Sequence, residues 1–252
     1  MTTCLHTRLD SLNFLDEDDF ALLDRLLERR DKATPGELVV VEMQKVTQTR
    51  LIIDGWAYRY RSLANGTRQI LNFLIPGDII SFYAMMLPLS DCGVEAMTPM
   101  EFAHFPVTDL VETLSGSAHL VLALSWIAGQ SERMLDEQIT RIGRRNSKSR
   151  LAHILVELHV RLRNSGFDKD QACLLPLTQA VLSDALGMSA VHANRSFRAL
   201  VKDGLIAREK SDIRLMDVTQ LSRVADFDHA YLEQTEVPAT TLNAIEPKLV
   251  PT

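Results

Sequence analysis

Cysteine is scarce in this chain. Its 252 residues include three, Cys4, Cys92 and Cys173. They are odd in number, far apart and never spaced as CxxC. That excludes a disulfide scaffold, a zinc ribbon and an iron–sulfur cluster held by four thiolates, and it fits reduced thiols in a cytoplasmic protein. Long apolar runs are missing too. The most apolar helical stretch, 118–129, spans 12 residues and contains His119 and Ser125, whereas a membrane span needs about 20. The first 20 residues hold no secretory h-region.

Enzyme signatures are absent as well. There is no P-loop, GxGxxG or GxSxG. The seven histidines (His6, His104, His119, His153, His159, His192 and His229) include no HxH pair. A metal-dependent cupin enzyme, which would share a jelly-roll shape, needs such a ligand cluster. Neither a catalytic residue nor a metal site is therefore expected.

What is present is uneven charge. The net charge is −6. Residues 1–140 carry 11 basic and 20 acidic residues, net −9, and residues 141–216 carry 14 and 7, net +7. The last stretch, 217–252, carries 2 and 6, net −4. An acidic first part joined to a basic second part predicts two domains, the basic one facing a polyanion.

The patterning changes along the chain. Residues 12–30 read as a helix, capped by Asp16 or Asp18, with Phe20, Leu23, Leu26 and Leu27 at helical spacing. After Pro35, short β-rich runs at 38–43, 50–53, 56–63, 67–74, 79–82, 94–97 and 101–105 are separated by turn residues. Asn65-Gly66 predicts a two-residue hairpin with positive φ at both positions. Such a series predicts a small barrel or jelly roll. After Pro106 the pattern turns helical. Leu120, Leu124, Ile127, Ser131, Met134 and Gln138 repeat every three or four residues, flanked by Leu135 and Ile142, and predict a helix over 117–141 despite Gly129. A helix that long outruns a small barrel, so one of its seams is expected to pack on a second chain. Another amphipathic helix is expected at 147–163, a loop at 164–170, and a last helix at 218–232 on the wing side.

The most specific stretch is LTQAVLSDALGMSAVHANRSFRALVKDGLI, from Leu177. Thr178 can cap one helix and Ser189 a second, with Gly187 supplying the left-handed residue between them. Val181, Leu182, Leu186, Met188, Val191, Phe197 and Leu200 supply an inner face. Segments 205–208 and 213–216 then flank a polar turn, as a wing does. This is a winged helix-turn-helix pattern. His192, Asn194, Arg195 and Arg198 stand on the second helix. Arginine can pair with guanine O6/N7, and asparagine with adenine.

With those residues in view, the chain resembles the Crp/Fnr superfamily of bacterial transcription regulators over roughly residues 10–232. The resemblance implies an α+β chain. It comprises an N-terminal cyclic-nucleotide-binding-like jelly roll (1–116), a long dimerisation helix and hinge (117–145) and a C-terminal winged helix-turn-helix (146–232). A disordered tail (233–252) is expected to follow. It also implies a homodimer that reads a palindromic double-stranded DNA operator, with RNA polymerase as a partner if the protein activates. Arg195 matches the family's guanine-reading arginine, and Thr178 and Ser189 match phosphate-contacting positions. Gln179, Ala190, Val191, His192, Asn194 and Arg198 complete the expected DNA surface. Where the family often has glutamate, this chain has Val191, which can touch a thymine methyl and cannot accept from cytosine.

The sensor departs further. Nucleotide-binding members hold the cyclic phosphate with an arginine and a serine after a Gly-Glu motif. Here Gly77-Asp78 stands near the motif start, but residues 69–132 contain no Lys or Arg and seven carboxylates. A phosphate buried there would lack compensation. No cofactor is expected; haem at His104 and Cys92 stays an alternative, as does a cyclic nucleotide or other small ligand that must occupy the sensor before DNA binds. Arg144 and Arg145, at a hinge over 142–147, are expected to contact phosphate or the partner subunit.

Overall fold

The computed structural model of the protein describes residues 3–87, 89–233 and 237–245. Two short helices come first, α1 (Cys4–Asp10) and α2 (Glu17–Leu26). A single helix over 12–30 was the expectation. Asn13 instead takes a left-handed φ of +59°, and Asp16 starts α2 by accepting the Asp19 N–H at 2.9 Å. Asp19 in turn accepts the Asp16 N–H at 3.2 Å, which completes a capping box.

The strands are β1 (Arg30–Ala33), β2 (Leu38–Val40), β3 (Gln48–Asp54), β4 (Ala57–Ser62), β5 (Arg68–Leu74), β6 (Ile79–Ile80), β7 (Gly93–Ala96) and β8 (Met100–Pro106). They form two antiparallel sheets of order β1-β8-β3-β6 and β2-β7-β4-β5. Ile52, Ala57, Leu74, Ile80, Val94 and Phe102 fill the space between them. Sequence pattern misses β1 because its residues, RDKA, include three charged ones on an edge strand. The β4–β5 turn also differs from expectation. Gly66 alone is left-handed, at φ +82°. The Leu63 N–H donates to the Thr67 carbonyl at 2.8 Å, so the loop is longer than two residues. Asn65 Oδ1 accepts the Thr67 N–H at 3.0 Å, so its side chain serves the turn while its backbone keeps an ordinary φ.

After α3 (Val107–Gly116), Ser117 caps α4 (Ala118–Arg144), which runs for 27 residues. Gly129 costs about 1 kcal/mol of helix propensity and does not interrupt it. Most of the seam read from sequence turns inward: Leu120, Leu124, Ile127 and Gln138 are buried within their own chain and Met134 is half-buried, whereas Ser131 is exposed. The outward seam is a different one, Val121, Ser125, Ala128, Glu132, Leu135 and Ile139, spaced 4-3-4-3-4 and exposed throughout. Among the described residues no helix is long and apolar enough to cross a membrane.

The remaining elements are α5 (Ser147–Asn164), α6 (Lys169–Ala172), β9 (Leu174–Leu175), α7 (Gln179–Leu186), α8 (Ala190–Lys202), β10 (Ile206–Glu209), β11 (Asp212–Leu215), α9 (Val218–Ala225) and α10 (Ala239–Ile245). Strands β10, β11 and β9 make one small antiparallel sheet. α9 stops at Ala225, short of the expected 232, because Asp226 is left-handed at φ +50°. It packs chiefly on α5: Leu221 and Ala225 are fully buried in the core cluster that also holds Ile206 and Ile213 of the wing, and Ser149 Oγ donates to the Ala225 carbonyl at 3.2 Å. Within the stretch expected to be a structureless tail, Pro238 opens the short helix α10 by accepting the Thr241 N–H at 2.8 Å. Residues 234–236 and 246–252 of that stretch lie outside the described residues.

The break between α4 and α5 is narrow. Arg145 and Asn146 are extended, and Asn146 caps α5. A buried polar network braces it. Arg141, 2% exposed, donates to Glu157 Oε2 at 2.9 Å and to His153 Nδ1 at 3.1 Å. Tyr231 Oη donates to the same Glu157 oxygen at 2.8 Å. Arg145 pairs with Glu137 and donates to the carbonyls of Ala225 and Asp226. The expected phosphate role of Arg145 is thereby corrected: its guanidinium is spent inside the chain.

Two stability predictions follow from this network. Arg141→Ala strands the buried Glu157 carboxylate and should cost about 3–5 kcal/mol in urea unfolding, whereas the paired change Arg141→Met with Glu157→Gln should cost much less. Burial, Arg141 and Arg145 hold the His153 imidazole far below its ordinary 6.5, at about 2. The unfolded chain therefore takes up a proton that the folded chain refuses. This contribution to stability is full above the unfolded pKa and is lost as pH falls below it. The urea midpoint should drop from about pH 7 to about pH 5, and His153→Gln should flatten that slope; an identical slope in the variant would show His153 is not its source.

Candidate nucleic-acid interface

Thr178 caps α7 by accepting the Val181 N–H at 3.2 Å, and Gly187 ends it with φ +58°. Ser189 caps α8: its Oγ accepts the His192 N–H at 3.4 Å and lies 3.2 Å from His192 Nδ1. Each cap satisfies an orphan amide and fixes where its helix begins. On α8, Ala193, Ser196, Phe197 and Leu200 face inward. The opposite stripe, Val191, Arg195, Arg198 and Lys202, is exposed at a 4-3-4 spacing, with Val191 76% exposed. Arg195 and Arg198 make no ion pair among the described residues. Thr178, Ser189, Ala190 and His192 are exposed at the helix starts beside this stripe.

Two expected contact residues are occupied. Asn194 Nδ2 donates to Gln179 Oε1 at 2.9 Å, and both side chains are half-buried. They fasten α8 to α7 instead of standing free. The wing has an anchor that sequence reasoning missed. Arg208 lies 4.9 Å above the Phe197 ring and donates to the Leu177 and Ser211 carbonyls. No sequence signal marks it, since its role depends on β10 passing beside α8.

The local charge is also divided differently from the sequence count. Arg141 and Arg161 are buried, and Arg150 donates to the carbonyls of Leu186, Ile142 and Arg145. Lys148 pairs with Asp203, and Arg214 with Glu209. Arg144, Arg195, Arg198, Lys202 and Lys210 stay exposed. The excess of +7 therefore overstates the field at the surface, while leaving its sign positive.

The barrel holds a second feature. A cavity, partly open to solvent, lies between β5, α4 and α5. Its walls are mostly apolar, with Leu124, Ile127, Phe73 and Ile154 among them. Arg59 Nε, Asn72 Oδ1 and Arg141 Nε are buried at it without a hydrogen-bond partner. This corrects the expectation that cationic groups are lacking. The basic-free window 69–132 does line much of the cavity, but arginines enter from β4 and from the end of α4. Asp78, in contrast, is engaged by Arg8 and Arg161. The grouping of Asp16, Asp19 and His119 is likewise spoken for, because Asp19 accepts from Ser117 Oγ, from the Asp16 N–H and from the His119 ring. Burial and Asp91 push the Cys92 thiol up to about 11, which disfavours the thiolate that axial haem ligation would use.

The chain matches two family models in tandem. A cyclic nucleotide-binding domain model covers residues 30–117, and a Crp-like helix-turn-helix domain model covers residues 149–224. The nitrogen fixation regulation protein FixK of Bradyrhizobium diazoefficiens is 27% identical over 203 residues, which span 79% of this chain and 83% of that protein. The transcriptional activatory protein AadR of Rhodopseudomonas palustris is 25% identical over 193 residues, 76% of this chain and 79% of that one. The solved structure of FixK2 from Bradyrhizobium japonicum superposes with a TM-score of 0.68 at 20% identity, covering 77% of this chain and 96% of that one. Barrel, long helix and helix-turn-helix thus occur here in the order and proportion of proteins named for transcriptional control, and the chain belongs to the Crp/Fnr superfamily of DNA-binding transcription regulators.

Proposed function

We propose that the protein binds a palindromic operator as a homodimer in the cytoplasm. Residues 1–116 form the sensor, 117–145 the pairing helix and 146–232 the DNA-binding unit. The observation that carries this reading is the stripe Val191, Arg195, Arg198 and Lys202, exposed along a helix whose start Ser189 caps. Arg195 reads guanine in the major groove, Val191 touches a thymine methyl, and Thr178 and Ser189 contact phosphate. His192 and Ala190 approach the backbone beside them, and Arg198 adds a further base or phosphate contact. Gln179 and Asn194 position the two helices. Recruitment of RNA polymerase belongs to this reading if the protein activates.

The pairing surface is supported by the outward seam of α4. Val121, Leu135 and Ile139 are 44%, 37% and 71% exposed on one stripe of a 27-residue helix. A heptad-spaced stripe of this kind, apolar at Val121, Ala128, Leu135 and Ile139 and polar at Ser125 and Glu132, can pair with a copy of itself. Two recognition helices then meet successive major grooves about 34 Å apart.

A second reading is favoured by the cavity. Two unpartnered guanidinium Nε–H donors and one unpartnered amide oxygen, Asn72 Oδ1, in an apolar space fit a small ligand bearing an acceptor or anionic group together with a donor. In that reading the ligand must be present before DNA binds.

Selection from random duplex DNA, with no ligand added, tests both. A two-fold symmetric motif supports the first reading. Enrichment only after addition of cell extract favours the second, and none in either condition removes the DNA assignment of these residues. Arg195→Ala should weaken the selected site by about 1–3 kcal/mol and relax preference at one base pair. Leu135→Asp with Ile139→Asp should yield monomers in sedimentation equilibrium while circular dichroism stays unchanged; a persistent dimer would move the interface elsewhere.

A further inference from the structure

Asp78 joins three separate parts of the chain. It follows Gly77, whose φ is +91°, in the turn between β5 and β6. A Cβ on Gly77 would sit 3.0 Å from the Cys4 Cβ, so α1 packs directly on this turn. Asp78 Oδ1 accepts from Arg8 on α1 at 3.0 Å. Its Oδ2 accepts from Arg161 on α5 at 2.5 Å and from the Ile75 N–H at 2.9 Å. Arg8 also donates to the Gly77 carbonyl at 3.2 Å and to Gln130 of α4 at 3.4 Å, and Arg161 donates to the Phe73 carbonyl at 3.1 Å. All three charged residues are less than 10% exposed. One carboxylate therefore holds two buried guanidiniums that would otherwise repel each other.

A second grip lies farther along α5's neighbours. Arg68 of β5 donates to Asp184 of α7 at 2.9 Å and to Glu95 at 3.1 Å. Gln69 of β5 and Gln138 of α4 both donate to the Ala185 carbonyl at 3.1 Å. The last turn of α7, with its orphan carbonyls, is thus satisfied by the barrel and the long helix. Its first turn and the exposed stripe of α8 stay outside these contacts. The DNA-binding unit is held by its back while its reading face is open.

We propose that Asp78 is a positioning residue for DNA recognition. It touches no DNA. It fixes the DNA-binding unit on the barrel in one orientation, so that the free protein presents its recognition helix already aligned. The covalent link between the long helix and this unit is two extended residues, Arg145 and Asn146, which alone would leave the unit free to rotate. Alignment matters because two helices must enter two grooves at once, and a domain held in place loses less freedom on binding. This inference rests on the proposed homodimeric reading of a palindrome.

The test compares a full palindrome with a single half-site, using the whole chain. Asp78→Asn should weaken the full site by at least about tenfold and leave half-site affinity within about twofold, because the helix-turn-helix itself is intact. Hydrogen exchange should rise at the α4–α5 junction in the same variant. Unchanged full-site affinity overturns the proposal, as does tighter binding, which would mean that the docked orientation opposes DNA. Equal loss on both sites would also overturn it, since that pattern marks a damaged helix-turn-helix. Should Asp78→Asn not fold, Arg68→Ala on the half-exposed grip decides: full-site loss of several-fold without half-site loss supports the same positioning, and no loss removes it. A wild-type protein that shows no gain of full site over half-site would instead refute the homodimeric reading.

Discussion

Tyr58, Ile70, Phe73 and Ile75 on the outer face of the barrel pack against Leu151, Leu155, Leu158 and Leu182 in one continuous apolar cluster. That contact couples the two halves of the chain. β5 has one face in the barrel interior, through Leu74, and the other against α5 and α7, through Phe73. Pleating makes this possible, since neighbouring side chains on a strand point to opposite faces. A strand buried on both sides cannot shift without disturbing both units, so β5 ties the packing of the barrel to that of the DNA-binding unit.

Polar groups at the margins of this cluster refine the orientation that apolar packing leaves loose. Apolar contact is non-directional, whereas a buried ion pair demands one geometry. Arg161–Asp78 joins elements that are distant in sequence, while Arg141–Glu157 and Arg145–Glu137 brace the α4–α5 junction. Three arginines of the basic second part are spent on these ion pairs. What is left for DNA is a smaller set of exposed cations, arranged on α8 and the wing by caps, by Asn194–Gln179 and by Arg208 on Phe197. The cavity beside the same network places Arg141 and Arg161 at its wall, so any occupant would act on the residues that fix the DNA-binding unit.

Local features were legible in proportion to how local their physics is. The helix-turn-helix could be read because Thr178, Ser189 and Gly187 act within a turn of their own positions. Most strands could be read because alternation and turn residues act over a few residues. β1 could not, since RDKA is recruited by pairing with β8 and has no pattern of its own. Which seam of α4 turns inward could not be read, because periodicity reports that a face is apolar and not what covers it. Charge counting failed in the same way, for Arg141 and Arg161 look like solvated residues until their partners, 16 and 83 positions away, are known.

The sequence by itself determined the class of protein, the order of its parts and the bounds of the helix-turn-helix, because caps, glycine conformations and hydrophobic period are properties of short segments. Tertiary structure alone decided which seam of the long helix faces outward, which arginines remain exposed, and that Asp78 pairs with arginines of both units. Those outcomes depend on long-range proximity and on the cost of burying an unpaired charge, and neither quantity is encoded in any single stretch of the chain.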